Sequence, residues 1–261
     1  MGTFLQIKHS FRKILSTRGQ VGRYSHFARV YDRVMNHVDY DQWANFISRI
    51  FDLFGNGGRR IVDGGCGTAT LMLFLRKKGF SVAGFDLSYD MVREARKKGG
   101  VKLWQGDLRE ISLRGGWDGF ICIYDSIQYL NITEIKNLFN EVKKILARGG
   151  LFVFDVVTHN HVMKYWFNYS EQTETESGDV FRRSWYEVHK RILHTEVEIY
   201  SNEEKKIYCE HHIQYIYPLV TFEEAAEESG MRLVGMFDGI SLRSGNENSD
   251  RVHFVFCREV E

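Results

Sequence analysis

Between residues 59 and 157 the chain switches repeatedly between short apolar runs and longer segments whose apolar residues recur every three or four positions. "RRIVDG", "FSVAGFD", "VKLWQGD", "WDGFICIYD" and "GLFVFDVV" read as buried strands. Between them, "TATLMLFLRKKG" reads as a helix closed by Gly79, "SYDMVREARKKGG" as one that Ser88 caps, and "TEIKNLFNEVKKILARGG" as one that glycine stops. Strands this apolar must be covered on both faces. The pattern therefore predicts an α/β, doubly wound fold: an open, mostly parallel sheet with helices on both sides. Ligands of such sheets sit beyond the carboxyl ends of the strands, where the strand order reverses.

The pattern changes between residues 159 and 217. "DVFRRSWYEVHKRILHTEVEIYSNEEKKIYCEHHIQYIYP" alternates polar and apolar residues, as antiparallel strands with one wet face do. After Pro218, "TFEEAAEESG" reads as a helix capped by Thr221, and "MRLVGMFD" and "RVHFVFCR" as two last strands. The expected organisation is a helical cap or lid over residues 1–50, a core from 51–158 and 218–261, and an antiparallel β insertion, 159–217, covering the ligand site. Residues Phe4, Ile7, Phe11, Ile14 and Leu15 recur at helical spacing among Lys8, Arg12, Lys13 and Arg18. That segment reads as a capping helix, or else as one for organelle targeting or membrane-surface binding.

Composition narrows the partners. Lys and Arg total 35 against 34 Asp and Glu, so no global field draws the protein to nucleic acid or an anionic membrane. Cys66, Cys122, Cys209 and Cys257 are widely spaced and form no CxxC pair, which argues for reduced thiols and against a disulfide framework or zinc site. No histidine spacing suggests a metal set. With no apolar run long enough to span a bilayer and no signal-peptide pattern, a cytoplasmic protein is expected. A homodimer through the insertion or the N-terminal helix is compatible with the sequence.

Gly64, Gly65 and Gly67 follow one strand and precede a helix, a turn bare enough for a nucleotide-like ligand to approach the backbone. Asp63, Asp86 and Asp107 end three successive strands on the same edge of the sheet. A carboxylate at the second tip suits ribose hydroxyls, and one at the third suits the exocyclic amine of a base.

These residues resemble the class I S-adenosylmethionine-dependent methyltransferases. "VDGGCGTAT" is similar to that family's glycine motif, "GFDLSYDMVREARKK" to its second-strand acid and following helix, "GDL" to its adenine-side acid, and "WDGFICIYDSIQYL" to its fourth strand. The resemblance implies a Rossmann-like, seven-stranded sheet with the antiparallel insertion after the fifth strand. It places Asp63, Gly64, Gly65, Cys66, Gly67, Asp86, Leu87, Asp107, Leu108 and Asp125 around S-adenosylmethionine: Asp63 toward the methionine amine, Asp86 on the ribose, Asp107 and Leu108 framing adenine. Gly64 departs from the family's bulkier residue, and Ala69 stands where a last glycine is common. "YSHFARVYDRVMNHVDYDQWANFI" resembles the lid of small-molecule methyltransferases, from which Tyr31 and Trp43 are the cofactor candidates, with Tyr24 and Tyr40 beside them. Asp125 and Ser126 are the candidate catalytic residues, set where the acceptor meets the methyl group. Among the insertion residues, Tyr165, Trp166, Trp185 and Tyr186 are candidates for an apolar acceptor pocket, and His159, His161, His194, His211 and His212 for a base.

The expected activity is methyl transfer to an N, O or C nucleophile of a small molecule. A nicotinamide-dependent oxidoreductase shares the strand, glycine turn and ribose acid, but Thr70 occupies the place of its third glycine and Asp63 precedes the turn. An RNA methyltransferase and a non-catalytic cofactor-binding regulator would carry the same donor-site residues.

Overall fold

A computed structural model describes residues 18–176 and 178–259. The residues 1–17 of the expected N-terminal helix lie outside this range. The first strands are β1 (Arg18–Gln20), β2 (Arg60–Gly64), β3 (Ser81–Asp86), β4 (Lys102–Gln105), β5 (Trp117–Cys122) and β6 (Leu146–Val157). They are followed by β7 (Asn168–Thr175), β8 (Gly178–Glu187), β9 (Ile192–Ser201), β10 (Lys206–Tyr215), β11 (Arg232–Asp238) and β12 (Arg251–Cys257). The principal helices are α1 (Tyr40–Phe54), α2 (Thr70–Lys77), α3 (Tyr89–Lys98), α4 (Ile132–Ile145) and α5 (Val220–Ser229).

Seven strands form one sheet in the order β11-β12-β6-β5-β2-β3-β4. Strands β2 to β6 are parallel, while β12 runs antiparallel to both β6 and β11. The order reverses between β2 and β5, so a crevice must open there. Side chains alternate across the sheet: Phe152 and Phe154 of β6 pack under α4 and α5, while Leu151 and Val153 pack under α1 and α2. Caps fix the helix entries. Asp39 accepts the Gln42 amide at α1, Ser88 accepts the Met91 amide at α3, and Asn131 and Glu134 form a reciprocal box at α4.

Two local expectations change. Helix α4 ends at Ile145, short of the glycines, because Leu146 pairs with Trp117 and starts β6. Thr221 does not cap α5. That helix begins at Val220, and the Glu247 carboxylate accepts the Leu219 amide ahead of it at 2.7 Å.

The insertion is the expected antiparallel meander, β7 to β10. Unexpectedly, β1 joins its edge, parallel to β10, where a helix was expected. Between β1 and α1 the chain forms a 3-10 turn at Phe27–Arg29 and a helical turn at Tyr31–Val34. Phe27, Val30, Val34 and Met35 bury themselves against Val180, Val197 and Ile199 of the insertion sheet. This clamps residues 24–35 between that sheet and the tips of the core strands.

Candidate active site

A cavity of about 1040 Å³ occupies the crevice, lined by the strand tips, the lid segment and the inner face of β8 to β10. Its floor is the turn after β2. Gly65 adopts φ +77°, and its amide and that of Cys66 both donate to the Phe85 carbonyl, which folds the turn against β3. Gly67 adopts φ +54°, and a Cβ there would meet nothing within 4 Å. Ala69 is left-handed as well, at φ 61°. A non-glycine residue held there costs about 1–2 kcal/mol, which explains the preference for glycine at such a position.

Asp63, at the tip of β2, is 2% exposed, and no side-chain hydrogen bond reaches its carboxylate among the described residues. Burial, reinforced by the nearby Asp86, pushes its pKa up to about 8. Asp86, at the tip of β3, accepts the Gly67 amide at 2.9 Å and the Ser88 amide at 2.8 Å. Burial raises its pKa against the pull of those two bonds. Asp107 lines the cavity beyond β4, but Arg109 chelates it through both carboxylate oxygens and holds it below the usual carboxylate range.

On the other side of the reversal, Tyr124 and Asp125 are both left-handed, at φ 66° and 53°, and turn the chain sharply after β5. Asp125 is paired with Arg251 at 2.8 Å and accepts the Gln214 side-chain amide at 2.7 Å. The same guanidinium pairs with Asp155, which is fully buried and also accepts the Tyr124 and Asp125 amides. Burial raises both acids, and Arg251 opposes it. Tyr124 and Trp43 lie under the Arg251 guanidinium, at 4.9 and 5.6 Å.

A chain of polar groups crosses the roof. Glu210 accepts the amides of Tyr24 (2.6 Å), His26 and Phe27 (both 2.9 Å), and contacts His212 Nε2 at 3.2 Å. Tyr129 joins His212 Nδ1 at 3.1 Å to the Tyr24 hydroxyl at 2.8 Å. Elsewhere on the cavity wall, Arg182 pairs with Glu171, which also accepts the Tyr169 hydroxyl.

Residues 61–150 match the family model of the methyltransferase domain. A Geobacillus sp. (strain WCH70) protein, provisionally named a methyltransferase, is 28% identical over 246 residues, which are 89% of this chain and 98% of that protein. The dTDP-3-amino-3,4,6-trideoxy-alpha-D-glucopyranose N,N-dimethyltransferase of Streptomyces venezuelae is 26% identical over 67% of this chain and 74% of its own. Among solved structures, an S-adenosylmethionine-dependent methyltransferase from Clostridium acetobutylicum superposes with a TM-score of 0.77 at 21% identity, covering 91% of this chain and 99% of that one. Together these likenesses support a class I S-adenosylmethionine-dependent methyltransferase.

The structure of this methyltransferase brings most of the sequence candidates to one cavity. Tyr31, Trp43, Asp63, Gly65, Cys66, Gly67, Asp86, Leu87, Asp107, Leu108, Asp125 and Ser126 all line it. Gly64 does not: a Cβ there would fall 2.6 Å from Phe120 Cζ and 2.7 Å from Leu108 Cδ2, so the residue is small because core packing requires it. The Ser126 hydroxyl donates to the Ile123 carbonyl, and the Asp125 carboxylate is already paired, so neither stands free to serve as a base. Of the four candidate insertion aromatics only Trp166 lines the cavity, and Tyr169 and Tyr215, which the sequence did not single out, line it as well. Trp185 stacks on His194 on the outer face, Tyr186 is buried and bonds His159, and Tyr165 is exposed. Arg251, Asp155, Gln214 and Glu210 escaped the sequence reading. An acid inside the apolar run "LFVFDVV" was a usable signal for Asp155; the other three show their role only when distant strands meet.

Proposed function

We propose that this methyltransferase binds S-adenosylmethionine over the Gly65–Gly67 turn and methylates an amine of a small molecule seated under the insertion sheet. One observation carries the donor assignment: a buried, unpartnered carboxylate, Asp63, stands beside a backbone cradle that a side chain at Gly67 would obstruct. A buried carboxylate calls for a cation, and the amino group of the methionine moiety supplies one. Asp86 keeps lone pairs free for the ribose hydroxyls after accepting its two amides. Leu87, half exposed at the rim, and Leu108 offer apolar faces to the adenine. Because Arg109 already occupies Asp107, base recognition falls to these apolar contacts and the loop backbone. Tyr31 and Trp43 present aromatic surface suited to a sulfonium. When bound, S-adenosylmethionine supplies a methyl carbon already activated by its sulfonium. The protein's tasks are alignment, exclusion of water and removal of the acceptor's proton.

At about 1040 Å³ the cavity lies at the upper end of the usual range of about 300–1,000 Å³, which leaves room for donor and acceptor together. An amine acceptor is supported by the amino-sugar methyltransferase from Streptomyces venezuelae named above. Calorimetry with S-adenosylhomocysteine tests the donor site. Wild-type protein should bind and Asp86→Ala should weaken binding by roughly 10²-fold, the loss of two charge-assisted hydrogen bonds; equal affinity removes the ribose assignment. A labelled-methyl assay against dTDP-amino sugars, amino acids and bulk tRNA tests the acceptor class, and transfer to tRNA alone would overturn it.

A further inference from the structure

The chain Tyr24–Tyr129–His212–Glu210 has one direction when Glu210 is ionised and the His212 ring is neutral. Glu210 is 1% exposed, and its two oxygens are met by three backbone N–H groups, which keep it ionised. Burial alone would raise its pKa, but His212 and the amides of Phe27 and His26 hold it below the usual range. An ionised carboxylate only accepts, so His212 Nε2 carries a proton. In the neutral ring Nδ1 then presents a lone pair, and it lies 3.1 Å from the Tyr129 hydroxyl. Tyr129 therefore donates to His212, and Tyr24 donates to Tyr129. The Tyr24 oxygen keeps its lone pairs for whatever occupies the cavity.

We propose that this chain is a proton relay, in which the Tyr24 hydroxyl takes the acceptor's proton and His212, positioned by Glu210, receives it through Tyr129. The inference rests on the methyl-transfer reading above. An N–H or O–H proton of the acceptor passes to the Tyr24 oxygen while the Tyr24 proton passes to Tyr129 and the Tyr129 proton to His212 Nδ1. The lone pair of the acceptor atom forms the bond to the methyl carbon, the pair of its N–H or O–H bond stays on that atom as a new lone pair, and the pair of the breaking carbon–sulfur bond stays on sulfur. One proton enters the relay and one arrives, leaving an imidazolium against the Glu210 carboxylate. Neither tyrosine needs to ionise, which agrees with burial pushing both hydroxyls well above their ordinary range. The charged and titratable groups facing the relay are Glu210 on β10, Tyr31 and Arg23 from the lid, the latter 5.3 Å over the Tyr129 ring, and Asp125 and Asp86 from the strand tips, while His211 stacks on Trp185 and His194 on the other face of the sheet. Tyr24 is the catalytic residue in this scheme; Tyr129, His212 and Glu210 are positioning residues.

Nitrogen NMR of the full chain, histidine-labelled and saturated with S-adenosylhomocysteine, tests the relay without an acceptor. His212 should show a protonated Nε2 and a hydrogen-bonded, unprotonated Nδ1 at neutral pH. Tyr129→Phe should move the Nδ1 resonance toward its free value and leave the tautomer unchanged. A protonated Nδ1, whether the opposite tautomer or an imidazolium, overturns the proposal, as does an Nδ1 resonance indifferent to Tyr129→Phe. On an acceptor found by the labelled-methyl assay, Tyr129→Phe should lower kcat by about 10²-fold, the low end for general-base catalysis, with donor affinity retained. An unchanged kcat also overturns it. Donor affinity measured on the same sample reports separately on the methyl-transfer reading.

Discussion

Asp63 is held in the folded protein at a cost that the donor is proposed to remove. Its folded pKa, about 8, lies above its ordinary 3.8, so the folded state keeps a proton that the unfolded chain releases. This group's contribution to stability is therefore full below about pH 4 and is lost as pH rises toward 8. Asp63→Asn should make the ligand-free protein more resistant to urea than wild type at pH 8, with the difference vanishing near pH 4. If the donor's amino group binds there, it must lower that pKa, and binding near pH 7 should release up to one proton. Calorimetry in buffers of different ionisation enthalpy measures this, and zero release would separate Asp63 from the donor. Arg251 is the opposite case, a buried cation already balanced by Asp125 and Asp155. Arg251→Met should cost about 3–5 kcal/mol in urea denaturation at pH 7, because it leaves two buried carboxylates uncompensated. The sequence displayed Asp63 at a strand tip beside a glycine turn. It hid the Arg251 partnership, since an arginine opening a strand is unremarkable until β12 inserts antiparallel beside β6.

At the scale of elements, one side chain ties the lid to the insertion. Glu210 on β10 gathers the amides of Tyr24, His26 and Phe27, a segment with no regular structure of its own before the 3-10 turn. Its folded pKa lies below its ordinary 4.5, so the tie is fully present above that value and is lost as pH falls through the folded one. Hydrogen exchange should show these amides protected at pH 7 and opening before the core strands as the solution is acidified. Glu210→Ala should abolish that protection at every pH, and unchanged exchange would show that apolar packing alone holds the lid. Core elements were legible because their 3.6- and 2-residue periodicities are local. The lid was legible only by its resemblance, and its anchoring to the insertion not at all, because those contacts span more than 180 residues of chain. The strand β1 was missed for the same reason: a three-residue edge strand has no pattern until β10 offers it a partner.

For the whole molecule, the cavity draws its walls from both sheets, so a donor bound there would couple them. S-adenosylhomocysteine at 100 times its Kd should stabilise the fold by about 2.7 kcal/mol. For a chain of this size that corresponds to a rise in Tm of roughly 5–10 °C, whereas nicotinamide dinucleotides should leave Tm unchanged. Thermal shift decides between them. Among the described residues no helix is long and apolar enough to cross a membrane, and no cluster of His, Cys, Asp and Glu suits a metal ion. The sequence by itself determined the doubly wound sheet, the bare turn and the acids at the tips of β2 and β3. Each depends on residues within one strand–turn–helix unit, where spacing dictates geometry. Tertiary structure alone decided which of the candidate polar groups are free to act. Asp107 and Asp125 are paired with arginines, Gly64 serves packing, and His212 is held between Glu210 and Tyr129. Hydrogen bonds and charge pairs saturate according to what the fold brings within about 3 Å, and that distance is set by chain crossings that local sequence does not encode.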